Sequence, residues 1–394
     1  MNSLPPSLAP WPAGEPPPDV LVVAGEASGD EHAARLIQGL RARRPNVRVA
    51  ALGGPALKEA GAHLLYDLSA HAVVGLVEVL KNYGFFKELF SQTLAWIEKF
   101  QPRAVLLVDY PGFNLRLAKK LYETGRSRRA GGKVSVLYYI APQIWAWKAN
   151  RRFSMAKHLD ALAVIFPFEP AYFGDTKLRA DFVGHPFAMA GHHLPVSYDV
   201  NGPILLLPGS RTAPVSRIYP AMLAAFALYR RSRPTAHAVT LVSGPGVHRE
   251  LERCLAACPD VAPHVTLQPI SEGAAGRTVL TSSGTMSLSC ALAGIPGAIV
   301  YRANPVTYLV GRSVVNVPYL GIANLLLGQS AWPEFIQGDA KPAALSHRLL
   351  ECEAPAAHEQ AAKDAAKLRA LLGEPAAPPD AAPRWLEDKL FDHG

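Results

Sequence analysis

The sequence predicts an α/β protein made of two Rossmann-like domains, each a doubly wound parallel sheet. Three observations support this fold class. Short, continuously apolar runs such as DVLVVAG and AVLLVDYPG are typical of strands buried on both faces. Each run is followed by a polar or glycine-containing loop and then by apolar residues at helical spacing, which indicates βα units. The scheme lapses once, over residues 185–203, and then begins again.

The first half of the chain contains five predicted strands. DVLVVAG leads through the loop EASGD into a helix with Ala34, Leu36, Ile37 and Leu40 on one face. The runs VRVAALGG, AVLLVDYPG, KVSVLYYI and ALAVIFPF continue the pattern. Together these elements predict a first domain over residues 19–187.

The second half repeats the scheme with the runs ILLLPGSR, HAVTLVSGPG, VTLQPI, RTVLTSSG and GAIVYR. They predict a second domain over residues 188–355, followed over residues 356–394 by an exposed helix and a tail rich in alanine, proline and charge. Two such domains place ligands in the cleft that they face, at the carboxyl ends of the strands.

Composition limits where the protein works. Residues 1–18 are proline-rich and lack the basic start and apolar centre of a signal peptide, so we expect a disordered leader. Four scattered cysteines are too few for a disulfide framework, and no apolar run reaches the roughly 18 residues of a spanning helix. These features predict a cytoplasmic protein. The net charge of +8 favours an anionic partner, either nucleic acid or a membrane surface.

Three loops that follow strands carry residues suited to chemistry. Asp109 ends a buried strand and is placed to act as a base, although it can equally order the turn that follows. Arg211 in LPGSR matches a diphosphate by forked hydrogen bonding, with an unpartnered surface arginine as the alternative. Gly284 in SSGT lets a phosphate approach the amides that open a helix.

Other loops leave binding and structural roles open. In EASGD, Glu26 and Asp30 would repel a phosphate and suit sugar hydroxyls, which favours acceptor binding or a fold-shaping role. Ser28 or Asp30 is as readily explained as a helix cap. Trp145 and Trp147 lie among basic residues, but they fall inside a βα unit. We therefore expect them to wall the cleft and expect no nucleic-acid partner.

Two further features each have a structural and a functional explanation. Residues 73–90, VVGLVEVLKNYGFFKELF, are unusually apolar for a loop and helix. Buried core is the default, and the alternative is a patch that enters a membrane or takes up an acyl chain. His185 in VGHP is expected to be structural rather than catalytic.

Taken together, a series of motifs resembles, in order, the landmarks of the lipid-A-disaccharide synthase family. They are VAGEASGD, GLVEVLK, DYPGFNLRLAKK, YYIAPQIWAWKANRRFSMAK, FPFEPAYF, FVGHP, LPGSR, SSGTMSLSCALAGIP and YLGIANLLLGQ, and they run from about residue 20 to residue 337. The resemblance implies the GT-B fold and a metal-independent, inverting glycosyltransferase without a cofactor. Such an enzyme transfers 2,3-diacylglucosamine from UDP to 2,3-diacylglucosamine 1-phosphate (lipid X) in lipid A biosynthesis. It works at the inner membrane of a Gram-negative bacterium, and the family allows a homodimer.

The resemblance also implies roles for individual residues. Asp109 corresponds to the family's essential acidic residue and would take the proton from the acceptor's 6-hydroxyl, while Arg211 would lie near the donor diphosphate. The motifs assign donor binding to Ser210, Arg211, Ser283, Gly284, Thr285, Ser289 and Asn324, acceptor binding to Glu26, Ser28 and Asp30, and membrane contact to Val79, Leu80, Phe85 and Phe86.

Three positions depart from the family pattern. Ser289 stands where the family has a glutamate, Pro214 where it has an acidic residue, and Ala56 where it has the arginine of GGPRM. A serine cannot hold two ribose hydroxyls as a carboxylate does. A catalytically impaired or re-purposed paralogue that binds a lipid or UDP-sugar is therefore the alternative to an active synthase. Whether Glu334 replaces the missing carboxylate is a question for the structure.

Overall fold

The computed structural model describes residues 7–71, 83–189, 192–304, 308 and 317–391. The chain forms two compact units. The first comprises Met1–Pro186 together with Ala377–Gly394, and the second comprises Phe187–Ala376. Each contains a parallel sheet whose strands are connected by helices, as the sequence predicts.

The first unit contains a seven-stranded parallel sheet in the order β3-β2-β1-β4-β5-β6-β7. Its strands are β1 (Val20–Ala24), β2 (Val49–Gly53), β3 (His63–Asp67), β4 (Ala104–Val108), β5 (Ser135–Tyr139), β6 (Ala161–Val164) and β7 (Ala180–Phe182). Its helices up to the domain boundary are α1 (Ala27–Arg43), α2 (Pro55–Glu59), α3 (Tyr83–Phe100), α4 (Pro111–Glu123), α5 (Ile144–Trp147) and α6 (Arg151–His158). The strand order changes direction between β1 and β4, so the loops after these two strands are neighbours at the carboxyl edge.

The second unit contains a six-stranded parallel sheet in the order β11-β10-β9-β13-β14-β15 and a small pair, β12-β8. Its strands are β8 (Val196–Tyr198), β9 (Ile204–Leu207), β10 (Ala238–Val242), β11 (Val265–Pro269), β12 (Ala274–Gly276), β13 (Thr278–Ser282), β14 (Gly297–Tyr301) and β15 (Glu334–Ile336). Its helices are α7 (Thr212–Ser232), α8 (Pro245–Ala256), α9 (Thr285–Leu292), α10 (Ile322–Leu327), α11 (Pro342–Glu351) and α12 (Pro355–Leu372), and α13 (Ala381–Phe391) follows in the first unit. None of the helices within the described ranges is long and apolar enough to cross a bilayer.

The continuous apolar runs of the sequence become the central strands of the two sheets. Every residue of β1, β4 and β9 is buried, so these strands pack on both faces. The pairing register sets Ala24 beside Val108 and Leu207 beside Thr281. Within each sheet, the loops that follow the two paired strands therefore begin at the same level along the strand direction.

The amino-terminal leader is packed where the structure describes it, which corrects the expectation of disorder over residues 1–18. The Trp11 ring is buried and packs edge-on against Trp96 and His63, with ring centroids 6.4 and 5.3 Å away. The Ala9 amide donates to the carbonyl of Leu65 at 2.8 Å. The large aromatic ring of Trp11 supplies the apolar contact that the proline-rich composition does not reveal.

The carboxyl-terminal region divides between the two units, which corrects the expectation of one exposed helix and tail over residues 356–394. One face of α12 is buried in the second unit through Ala361, Ala365 and Leu368. In the first unit, Leu386 and Leu390 of α13 are fully buried. The physical reason is that each helix carries an apolar stripe that needs a partner surface.

Candidate active site

The turn after β4 holds Asp109 in a strained backbone conformation. Asp109 and Tyr110 both have left-handed φ angles, of 45° and 48°, which are uncommon for residues with bulky side chains. The Asp109 amide donates to the carbonyl of Tyr139 at 3.1 Å, and the Asp109 carbonyl accepts the hydroxyl of Tyr138 at 2.6 Å. Strain of this kind persists where the surroundings determine the backbone, and it is frequent at functional sites.

Asn114 of the DYPGFN motif explains how the turn is fixed. Its buried Nδ2 group lies 2.8, 3.2 and 3.3 Å from the carbonyl oxygens of Asp109, Val108 and Val23, respectively. These carbonyls belong to the carboxyl ends of β4 and β1. One side chain on α4 therefore ties together the two strands that flank the change in strand order.

The loop EASGD packs against the same turn. A Cβ atom on Gly25 would lie 2.2 Å from Cδ1 of Tyr110, so only glycine fits beneath the tyrosine ring. Burial, and then the negative charge of Glu26, raise the pKa of Tyr110. Glu26 is half-buried and Ser28 is exposed at the start of α1, so both stay predicted acceptor-binding residues beside Asp109.

The bonds of Asp30 favour a fold-shaping role, the alternative to acceptor binding that the sequence leaves open. Its side chain is 2% exposed, and its carboxylate accepts the backbone amides of Gly54 at 2.7 Å, Ala56 at 2.9 Å and Leu57 at 3.3 Å. Three donors at the start of α2 leave little capacity for a ligand. The glycine pair GG of this loop permits the approach, because a Cβ on Gly54 would lie 2.6 Å from the carboxylate.

The tryptophan motif lies inside the first unit. Trp145 is buried and packs edge-on against Phe166 and Phe168, with ring centroids 6.3 and 5.2 Å away. Its indole N–H donates to Glu169 at 3.2 Å. A buried ring cannot stack on nucleic acid.

His185 of the VGHP motif is buried, and its ring centroid lies 5.2 Å from that of Phe166. Its structural role stays a prediction.

Positive charge lies near the Asp109 turn. Lys148, Ala149, Asn150 and Arg151 line an open hollow of about 440 Å³ where α6 begins. Burial and the charge of Asp109 raise the pKa of Tyr138, while Arg151 opposes this rise. Arg151 is therefore within electrostatic range of the hydroxyl that holds Asp109. The sequence shows these cations as part of a basic run but does not indicate which strand end they approach.

In the second unit, two predicted donor loops meet. LPGSR follows β9 and SSGT follows β13, and these strands are adjacent in the sheet. Gly209 has φ 117°, and a Cβ there would lie 3.0 Å from Oγ of Ser282. Gly284 has φ 135° with open space around it, so its backbone conformation rather than crowding favours glycine. The sequence predicts only that each loop follows a strand, and the structure shows that the two strands are neighbours.

Each of these loops opens a helix whose first turn carries no acidic residue. Arg211 precedes α7 and Gly284 precedes α9. Ser210, Arg211 and Thr285 are exposed, and the Arg211 guanidinium has no hydrogen bond or ion pair with any described residue. Helix starts attract anions through their unpaired amides. The edge therefore offers amides, hydroxyls and one guanidinium to an anionic ligand, and Pro214 adds no opposing charge.

The side chains of Ser289 and Asn324 are buried and bonded within the fold, and their donor-binding roles stay predictions. Ser289 is 1% exposed, and its hydroxyl donates to the carbonyl of Thr285 in its own helix at 3.3 Å. The Asn324 amide donates to the Trp332 carbonyl at 2.7 Å and to Glu334 at 2.9 Å, and it accepts the Trp332 amide. Both side chains are satisfied within the fold.

Glu334 does not replace the missing family carboxylate. Its two oxygens accept the backbone amides of Leu320 and Gly321, each at 2.9 Å, in addition to the Asn324 amide. The carboxylate therefore shapes the loop before α10. A partner set of this kind is tertiary, so the sequence alone does not reveal it.

The predicted membrane-facing residues are only partly within the described chain. Val79 and Leu80 lie outside the described residues. Phe85 and Phe86 are half-buried at the start of α3 and pack edge-on against each other at 5.5 Å, on the side of the first core. Membrane contact at these positions stays a prediction. Within the described ranges, no cluster of three or more histidine, cysteine or acidic side chains is arranged to hold a metal ion.

The two units, each a parallel sheet with its candidate site loops at the carboxyl edge, have the fold of the GT-B glycosyltransferase class. The chain belongs to the lipid-A-disaccharide synthetase family, whose model matches residues 20–377. The predicted family and fold class are thereby confirmed.

Named relatives and solved structures agree with this assignment. Lipid-A-disaccharide synthase 1 of Legionella pneumophila is 34% identical over 339 residues, covering 84% of this chain and 86% of the relative. Lipid-A-disaccharide synthase of Anaeromyxobacter dehalogenans is 36% identical over 380 residues, covering 91% and 94%. UDP-GlcNAc 2-epimerase from Neisseria meningitidis bound to UDP-GlcNAc shares the fold, with a TM-score of 0.61, 13% identity and coverage of 95% and 100%. Acinetobacter baumannii MurG does so with a TM-score of 0.51, 13% identity and coverage of 94% and 98%.

Proposed function

We propose that this protein is a lipid-A-disaccharide synthase, which transfers 2,3-diacylglucosamine from UDP to 2,3-diacylglucosamine 1-phosphate and releases UDP. The observation that carries the proposal is the fixed Asp109 turn, held by Tyr138 and Asn114 at the change in strand order. A base that must meet one hydroxyl gains from a backbone that holds it still. The identity of the two sugars is what the family resemblance of the motifs implies, and membership of the family supports it.

The proposed chemistry divides between the two units. The Asp109 carboxylate takes the proton from the 6-hydroxyl of the acceptor, whose oxygen forms a bond to the anomeric carbon of the donor. The bond from that carbon to the UDP oxygen breaks, and the configuration inverts. Arg211 and the amides that open α7 and α9 stabilise the charge that grows on the diphosphate. Lys148 and Arg151 offer positive charge to the acceptor's 1-phosphate.

This function is tested directly by mixing the protein with UDP-2,3-diacylglucosamine and 2,3-diacylglucosamine 1-phosphate and measuring the UDP that is released. We expect the purified, folded protein to form the disaccharide and UDP in equal amounts without added metal. Binding of UDP without turnover would instead favour the impaired paralogue, for which the departures at Pro214, Ser289 and Ala56 are the only argument. A folded sample that neither binds UDP nor releases it would contradict the proposal.

We extend the proposal to work at the inner-membrane surface, where acylated substrates reside. Phe153 on α6 is 49% exposed and borders an open hollow of about 470 Å³ that Arg129, Lys157 and Lys177 also line. An exposed ring among cations suits anionic lipid. Sedimentation with vesicles of neutral and of partly anionic lipid tests this, and the double variant Lys157→Glu, Lys177→Glu should lose the anionic preference. If this variant binds the partly anionic vesicles as well as wild type does, the two lysines are not part of the membrane contact.

A homodimer, which the family resemblance allows, also stays a proposal. The chain has a mass of 42.3 kDa. Light scattering of the purified protein distinguishes this mass from about twice its value, and a monomer at all concentrations would remove the dimer from the proposal.

A further inference from the structure

Glu169 is a buried carboxylate that no step of the proposed reaction uses. It begins a 3₁₀ turn, Glu169–Phe173, and is 2% exposed. Oε2 accepts the backbone amides of Ile165 at 3.1 Å and Phe166 at 3.0 Å, and Oε1 accepts the indole N–H of Trp145 at 3.2 Å. No described lysine or arginine pairs with it. Burial of a carboxylate without a cation is costly, and three donors offset only part of that cost.

The indole bond connects Glu169 to the segment that leads into the basic hollow. Trp145 lies in α5, between β5 and α6, and only two residues separate it from Lys148. Strand β5 carries Tyr138, whose hydroxyl holds the Asp109 turn. The segment that Glu169 anchors therefore begins beside the proposed base and ends at the cations that line the hollow.

We propose that Glu169 is a positioning residue for the acceptor sugar. By holding Trp145, it fixes α5 on the end of β6 and thereby presents Lys148 and Arg151 to a phosphomonoester beside Asp109, a role that rests on the proposed function. The side chain touches neither substrate nor reacting atoms. Glu169 determines the positions of Lys148 and Arg151, so its loss should affect the binding of the acceptor and not the binding of the donor.

The two carboxylate oxygens have separable tasks, which makes the proposal testable. In Glu169→Gln only one oxygen remains, and the two backbone amides of Ile165 and Phe166 claim it. The new NH₂ group then meets the indole N–H of Trp145, donor against donor. The turn is kept and the connection to α5 is lost. Trp145→Phe removes the same bond from the other side and keeps an apolar ring against Phe166 and Phe168.

Ionisation of Glu169 should modulate this connection. Burial raises the pKa of Glu169 to about 7, and its three hydrogen bonds oppose the rise. The neighbouring titratable groups are Tyr172 on the same turn, His185 beyond the Phe166 ring, and Asp181 on β7, which Arg179 and Trp385 engage. The ionised carboxylate can accept all three hydrogen bonds. The protonated form carries a hydrogen on one oxygen, and this hydrogen competes with the N–H donors for the space around that oxygen.

Steady-state kinetics of wild type, Glu169→Gln, Trp145→Phe and the double variant test the role. We expect each single variant to raise the KM for the acceptor by about tenfold, the loss of one hydrogen bond to a charged group, with the KM for the donor within about twofold. The double variant should be no worse than the worse single one, because both remove the same bond. Additive losses, or equal changes in both KM values, would overturn the proposal.

A readout independent of turnover separates this proposal from the proposed function. The indole N–H resonance of Trp145, identified by its loss in Trp145→Phe, should titrate near pH 7 in wild type and stay fixed in Glu169→Gln. Glucosamine 1-phosphate should bind about tenfold more weakly to Glu169→Gln. If wild type releases no UDP while both differences are found, the proposed function fails and the positioning role stands. An indole signal that is indifferent to Glu169, or unchanged phosphate binding, would refute the role itself.

Discussion

The carboxyl edges of the two sheets are built in opposite ways. In the first unit the loops are held by buried polar side chains, and Asp109 and Tyr110 keep left-handed backbones without being glycine. In the second unit the left-handed positions beside the site are Gly209 and Gly284, whereas the helices that follow begin without a side-chain cap in both units. The comparison teaches that one edge is suited to fixing a single reactive group. The other leaves its amides uncommitted, as an anion site requires.

Replacement of Asp109 tests the first edge most severely. Asp109→Asn keeps the size of the side chain and removes the base, so kcat should fall by about 10²- to 10⁴-fold. The affinity for UDP, which depends on the other unit, should stay within about twofold of wild type by calorimetry. A kcat within tenfold of wild type would mean that another group takes the proton.

Replacement of Arg211 tests the second edge. Arg211→Ala removes a charged donor from an anion site and should weaken UDP binding by about 10- to 100-fold in calorimetry. Arg217→Ala, an exposed arginine farther along the same helix, is the matched control and should leave the affinity unchanged. Equal losses from both variants would show only a general effect of net charge.

Loss of the Asn114 amide should lower both the stability of the protein and its activity. Asn114→Leu leaves the carbonyls of Val23, Val108 and Asp109 without this donor, which we expect to cost about 2 kcal/mol in urea unfolding. Because the Asp109 turn relaxes, kcat should fall by about tenfold while UDP affinity holds. Asn201→Leu at an exposed position serves as the control. An unstable variant with full kcat would separate the amide from catalysis.

The pH dependence of stability should reveal Glu169. Its folded-state pKa of about 7 lies above the ordinary value of 4.5, so burial favours the protonated form. The contribution of this group to stability is therefore complete below pH 4.5 and is lost as the pH rises through about 7, by at most about 3 kcal/mol. Urea unfolding at pH 5 and pH 8 should show this loss in wild type and not in Glu169→Gln. Parallel profiles would contradict the raised pKa.

The smallest effect should come from Ser289. Its hydroxyl is bonded only to its own helix, so Ser289→Ala should change the stability by about 0.5 kcal/mol or less and UDP affinity by less than twofold. A tenfold loss of UDP affinity would show that the Ser289 hydroxyl reaches the donor.

Much of the fold could be predicted because local signals determine it. Runs such as AVLLV are buried on both faces of a parallel sheet, and Asp109, Arg211 and Gly284 follow strand ends that the runs already define. The order of the motifs was enough to predict the family, which the family model then confirmed.

Partners from other parts of the chain explain why the sequence alone does not determine the roles of several buried side chains. Asp30 is bonded to amides 24 to 27 residues away, and Asn324 to partners 8 and 10 residues away on another loop. Trp11 and Trp96, whose rings pack together, are still farther apart in sequence. A sequence shows that a polar or aromatic side chain is present, but the partner that satisfies it is chosen by the tertiary fold.

The return of α13 to the first unit has a consequence for dividing the gene. Arg43 at the end of α1 and the following Arg44 both donate to Glu387 at 2.5 Å, and the guanidinium groups of Arg44 and Arg103 lie 5.3 and 5.5 Å from the centroid of the Phe391 ring. A single cut near residue 187 therefore yields one fragment that lacks its last helix and another that carries a helix with no surface to cover. A circular permutant that begins at Phe187 and joins the natural ends would keep each unit continuous along the chain.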